Sequence, residues 1–180
     1  EVEFPFSPDD LSTGQRKEKR TPRPHQQEAI KKVAGGFQKE DRGQLLMARG
    51  TGKTLTSLWI KEALNPTRTL ALLQSLSILS QSLREWTATS QEEFNWICAY
   101  SVKSVAKQDK NSDNWIINTN EPGIPATNEP SETRSFLQNM EKRVVFPTYQ
   151  SPPLVAEAQQ KQGVPAFDIA FADEAHQCAE

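Results

Sequence analysis

The sequence predicts an α/β fold of three layers, a mostly parallel sheet with helices packed on both faces. Three observations carry this expectation. Short apolar runs alternate with stretches of helical spacing, a glycine-rich turn sits between the first such run and a helix, and Pro, Asn and Gly separate most of the elements. Alternating strands and helices build a parallel sheet through right-handed crossovers. At 180 residues the chain fits one domain with a core of its own.

Residues 1–22 are rich in Pro and charge and read as an irregular lead-in. Helical spacing begins in "HQQEAIKKVAGGF", where Ala29, Ile30, Val33 and Phe37 share a side. The apolar run Gln44 to Met47 is short enough for a buried strand. A helix follows from about Lys53 to Leu64, with Leu55, Leu58, Trp59 and Ile60 as its packed side, and Asn65-Pro66 stops it. Next come a strand at 69–73, a helix over 77–88 marked by Leu79, Leu83 and Trp86, and a strand at 94–100. Over 102–130 the pattern lapses into a polar insertion, broken only by Trp115 to Ile117. A helix from Ser131, its expected N-cap, runs to about Met140. A strand at 143–149, a helix from Pro152 to about Lys161 and a strand at 167–172 complete the order. Pro147 removes one ladder donor from the strand at 143–149, which predicts a kink or a weakened end there.

Composition excludes several classes. The formal net charge of -2 gives no overall basic signature, so any nucleic-acid contact has to be local. Arg16 to Lys32 is one such basic run, either a solvated linker or a phosphate-tracking segment. Cys98 and Cys178 lack metal-site spacing, and His25 and His176 do not complete a ligand set with them. Both cysteines read as reduced thiols of a cytoplasmic protein. No apolar run approaches the roughly 20 residues of a membrane span, and the N-terminus is acidic where a signal peptide is basic. The chain starts at Glu1 and stops four residues after a motif at 173–176, so it is expected to be a piece of a longer protein.

The glycine-rich turn is "MARGTGKT", Met47 to Thr54. Between a strand and a helix, Gly50 and Gly52 let the backbone, with Thr51 between them, point successive amides inward, and the helix adds its positive end. Lys53 would then reach the β- and γ-phosphates, and the Thr54 hydroxyl would bind Mg²⁺. Met47 stands where the pattern usually has glycine. Arg49 is either a solvated loop cation or a side chain leaning toward phosphate. Asp173-Glu174-Ala175-His176 follows the last apolar run. At the carboxyl end of a strand beside the phosphate-loop strand, Asp173 would hold Mg²⁺, mostly through water, and Glu174 would position and deprotonate the attacking water.

With these motifs the sequence resembles superfamily 2 helicases and translocases of the DEAH type, in particular the motors of restriction-modification enzymes and related phage-defence helicases. The resemblance runs from Pro22 to Glu180 and rests on "RPHQQEAI", "MARGTGKT", "LSILSQSLREW", "VVFPTYQS" and "FDIAFADEAHQCAE". It implies a three-layer P-loop NTPase of RecA-like type, with 23–180 as the N-terminal ATP-binding lobe, truncated just after DEAH. It also implies that Gln26 reads adenine with Arg23 beside it. His176 would link the γ-phosphate site to the nucleic-acid side, although in isolation it reads as an ordinary histidine. Ser75, Arg84, Thr148 and Gln150 fall at the family's nucleic-acid positions. Gln74 stands where the family has proline before Ser75, and Arg84 reads equally as a solvated helix charge.

The resulting expectation is one lobe of a nucleic-acid-dependent ATPase using ATP and Mg²⁺. Its polymer would be DNA rather than RNA, its origin prokaryotic or phage-related, and its second lobe, which carries the arginine finger, lies outside this chain. By itself the fragment would be near-inactive. The competing readings are a P-loop ATPase acting on a protein target and a degenerate lobe that only binds a partner.

Overall fold

The computed structural model describes residues 20–100, 126–160 and 162–175. The lead-in up to residue 19, most of the 102–130 insertion, His176 and Cys178 lie outside the described residues.

Five strands form one sheet: β1 (Arg68–Leu72), β2 (Asn95–Ala99), β3 (Ala126–Thr127), β4 (Arg143–Pro147) and β5 (Ile169–Ala172). Their order is β3-β2-β4-β1-β5, and every pairing is parallel. The helices are α1 (Pro24–Gly36), α2 (Lys53–Leu64), α3 (Leu76–Thr89), α4 (Pro130–Leu137) and α5 (Pro152–Gln160).

A parallel sheet needs cover on both faces, and the two apolar clusters supply it. On one face Leu55, Leu58 and Trp59 of α2 and Leu79, Leu83 and Trp86 of α3 pack on Ala71, Cys98, Val144 and Phe146, with Ile30 of α1 against them. On the other, Leu137 of α4 and Val155 of α5 cover Ile97, Ala99 and Val145. Alternation along β4 therefore splits Val144 and Phe146 from Val145, and all five of its residues are buried. Trp86 sits at the centre of the first cluster, edge-on to Phe94, Phe146 and Phe171. Burial pushes the Cys98 thiol up to about 12, so it stays protonated.

The expected α/β layering is found, with four corrections. Gln44 to Met47 is not a strand: no described strand pairs with it, and Leu46 is 88% exposed. An apolar run becomes a strand only where a neighbour accepts its hydrogen bonds. The 102–130 insertion is not structureless throughout, because Ala126–Thr127 pairs with Cys98 and Ala99 as the edge strand β3. Two residues are too few to show an alternation. The N-cap of α4 is Glu129 rather than Ser131, with Pro130 at the first turn. The helix stops at Leu137, short of Met140, where the Arg68 guanidinium donates to the carbonyls of Leu137 (2.9 Å) and Asn139 (3.3 Å). Strand β4 ends at Pro147, as its missing donor predicts, and a single bridge, Leu73 to Thr148, extends the pairing.

Candidate nucleotide-binding site

The turn Gly50 to Gly52 supplies the geometry a phosphate cradle requires. Gly50 has φ 78° and Gly52 φ 84°, the left-handed region that favours glycine. Gly52 is the N-cap of α2, so the loop feeds directly into a helix N-terminus. Thr51 closes the turn, donating from its hydroxyl to the Ala48 carbonyl at 2.6 Å.

Without a paired strand beneath it, the loop is held from the side by α1. Gln26 is 4% exposed, and its Nε2 donates to the carbonyls of Thr51 (3.1 Å) and Gly52 (3.4 Å). Its Oε1 accepts from the Arg23 amide at 2.9 Å. Both ends of the amide expected to read adenine are thus engaged inside the chain. From below, the Trp86 indole donates to the Thr54 carbonyl at 2.9 Å and ties the first turn of α2 to α3.

Beside the loop lies a cleft of about 560 Å³ lined by Arg20, Arg23, Gln26, the loop residues 50–52, Leu55 and Trp59. It offers two exposed cations and an apolar wall, suited to an anion with a flat ring attached. Arg49 is exposed and does not line this cleft.

The acidic motif reaches the loop across space. Strand β5 pairs with β1 alone among the described residues, so the expected position beside a phosphate-loop strand is not found. Even so, Lys53 Nζ stands 3.4 Å from Glu174 Oε1, joining motifs 121 residues apart. Both side chains are partly exposed, 39% and 42%, so the pair is a positional fact more than a source of stability. Glu174 adopts φ 55°, a left-handed conformation uncommon outside glycine. Thr54 and Asp173 are half-buried hard oxygen donors, the chemistry Mg²⁺ takes; no group of three His, Cys, Asp or Glu side chains gathers as a metal cluster among the described residues.

The nucleic-acid positions divide. Gln150 and Arg84 are exposed. Ser75 caps α3, its hydroxyl accepting from the Ile78 amide at 3.3 Å. Thr148 is 2% exposed, with its hydroxyl 2.9 Å from Ser151 Oγ, so it is turned into the fold rather than toward a polymer. The bridge from Leu73 to Thr148 and the Ser151 hydroxyl hold it there. Sequence reading passed over Tyr149, whose hydroxyl donates to the Asp173 carbonyl. It also passed over Arg20 and Trp59 as walls of the cleft.

The family model described as "Type III restriction enzyme, res subunit" matches residues 19–180. The chain belongs to this res-subunit family. Two solved structures resemble the res-type lobe. One is the ATP-dependent Type ISP restriction-modification enzyme LlaBIII bound to DNA, at 32% identity and TM-score 0.78 over 97% of this chain and 12% of that one. The other is a nuclease-deletion mutant of the Type ISP restriction-modification enzyme LlaGI in complex with a DNA substrate mimic, at 37% identity and TM-score 0.69 over 87% and 15%. Among curated proteins none matches the sequence. This res-family chain therefore spans a small part of the enzymes it resembles, and its fold is that of their RecA-like helicase lobe. No helix among the described residues is long and apolar enough to cross a membrane.

Proposed function

We propose that the chain is the first RecA-like lobe of the ATP-driven DNA motor of a restriction-modification enzyme. The observation that carries this reading is the 3.4 Å approach of Lys53 to Glu174, which brings the phosphate loop and the acidic turn to one place at the carboxyl edge of a parallel sheet. Similarity to two enzymes solved with DNA or a DNA mimic supports the choice of polymer.

In this reading the amides of Gly50 to Thr54 and the N-terminus of α2 bind the phosphates, and Lys53 contacts the terminal one. The Lys53–Glu174 pair must then open to admit the nucleotide, which frees the Glu174 carboxylate to accept a proton from water. Arg23 and Arg20 border the space for the base and ribose, and Gln26 reads adenine only by exchanging one of its present partners. Thr54 and Asp173 would hold Mg²⁺, which neutralises charge on the phosphates when bound. Ser75, Arg84 and Gln150 face the polymer, and Thr148 shapes their loop from inside.

Steady-state ATP hydrolysis by the full-length protein, with and without duplex DNA, tests the reading. DNA should stimulate turnover, and Lys53→Ala should remove it. Glu174→Gln should lose hydrolysis by about 10²-fold or more while nucleotide binding persists. A protein stimulated by neither DNA nor RNA would instead be an ATPase with a protein target. Absence of Mg-ATP binding at millimolar nucleotide would mark a degenerate lobe.

A further inference from the structure

We propose that Tyr149 is a positioning residue that couples the loop after β4 to the carboxylate of Glu174. The proposal rests on the reading of that loop as facing nucleic acid. Strands β4 and β5 are not neighbours, since β1 lies between them. At their carboxyl ends the three are nonetheless stitched together. The Leu73 amide donates to the Pro147 carbonyl at 3.0 Å and the Tyr149 amide to the Leu73 carbonyl at 3.1 Å, while the Asp173 amide donates to the Leu72 carbonyl at 3.1 Å. The Tyr149 side chain spans the end of β1 and donates its hydroxyl to the Asp173 carbonyl.

That carbonyl belongs to the peptide joining Asp173 to Glu174. Turning this peptide plane changes φ at Glu174, which is held at 55° in a region that a residue with a Cβ leaves readily when unsupported. The hydroxyl therefore fixes the plane from which the Glu174 carboxylate is aimed toward Lys53. At its other end Tyr149 belongs to a short turn closed by hydrogen bonds between Thr148 and Ser151. The Ser151 amide donates to the Thr148 carbonyl at 2.8 Å, and the two hydroxyls of Thr148 and Ser151 meet at 2.9 Å in the buried interior. Gln150 is exposed on the outside of this turn. A polymer pressing on Gln150 meets a turn closed by these two hydrogen bonds, so its displacement is passed to the Tyr149 ring and hydroxyl and from there to the Asp173-Glu174 peptide. Tyr149 touches neither nucleotide nor polymer in this scheme; it acts through Glu174.

Tyr149→Phe and Tyr149→Leu in the full-length protein test this, with ATP turnover measured with and without duplex DNA and DNA affinity measured by fluorescence anisotropy. In both variants the ratio of DNA-stimulated to DNA-free kcat should fall about five- to tenfold. The KM for ATP and the affinity for DNA should stay within about twofold. Should Tyr149→Leu unfold, as thermal melting would reveal, Tyr149→Phe alone decides, since it removes a single oxygen. A wild-type ratio in Tyr149→Phe overturns the proposal, because ring packing would then suffice. A loss of DNA affinity that matches the loss of stimulation also overturns it, by making Tyr149 a direct contact. Failure of the functional reading is distinguishable, because it appears in the unsubstituted protein as an absence of DNA stimulation.

Discussion

Gln26 holds the phosphate loop where a strand was expected to. Its Nε2 hydrogen bonds to Thr51 and Gly52 leave no room above Gly52: a Cβ added there would stand 2.6 Å from that nitrogen. Gly52 is also in the left-handed region at φ 84°, where an alanine costs about 1–2 kcal/mol. Gly52→Ala is therefore expected to lower stability by that amount in urea titration and to weaken nucleotide binding by expelling the Gln26 amide. Unchanged ATP affinity would show that the amide does not shape the loop. The glycines and Lys53 were legible because their chemistry is local to eight consecutive residues. Gln26's grip on the loop and the Tyr149 hydroxyl bond were not, because their partners lie 25 and 24 positions away. The burial of Thr148 was not legible for a related reason: a motif match gives a position but not the side of the chain that faces solvent.

Among the elements, α2 carries a residue that no periodicity would assign to a core. Lys61 is 1% exposed, stands over the Phe94 ring at 4.5 Å, and has an ammonium with no hydrogen bond among the described residues. Burial, the largest influence, moves its pKa below the ordinary 10.5; Glu92 and Glu62 act in the opposite direction, and Lys142 with burial. The unfolded chain then binds the proton more readily than the fold does. Stability consequently rises with pH between the lowered value and 10.5, and the penalty is fully present below that window. Lys61→Met should stabilise the lobe near pH 7 by about 1 kcal/mol in denaturant titration, since a buried charge without a hydrogen bond is replaced by an apolar chain of similar length. The advantage should shrink as pH approaches 10.5. A destabilised variant at pH 7 would mean that attraction to Phe94, Glu62 and Glu92 outweighs the burial. Helices α2 and α3 and the interior strands came close to their expected bounds because each has enough residues to display a period. Strand β3 and the early end of α4 did not, as one has two residues and the other is terminated by Arg68 from a distant strand.

For the molecule as a whole, the sheet brings the acidic turn and the loop after β4 to one edge, and α1 holds the phosphate loop there, within 3.4 Å of Glu174. Two solved restriction-modification enzymes share the fold, with this chain covering 12% and 15% of theirs. In nucleotide hydrolases that use one, an arginine finger contributes about 10³ to 10⁵ in rate, and the proposed motor would take its own from a second lobe. The isolated 180-residue chain is therefore expected to bind nucleotide weakly and turn it over far more slowly than once per second. A rate near one per second that Lys53→Ala abolishes would show that this lobe needs no finger. The sequence by itself determined the α/β layering, the order of most elements and the identity of the phosphate-loop and acidic residues, because hydrophobic period and turn chemistry act over neighbouring positions. Only the tertiary structure decided the strand order, the failure of Gln44 to Met47 to pair, the anchoring of the loop by Gln26 and the span from Tyr149 to Asp173. Each of these is a hydrogen-bonding choice between distant segments, and a donor's own position in the chain does not name the acceptor it will meet.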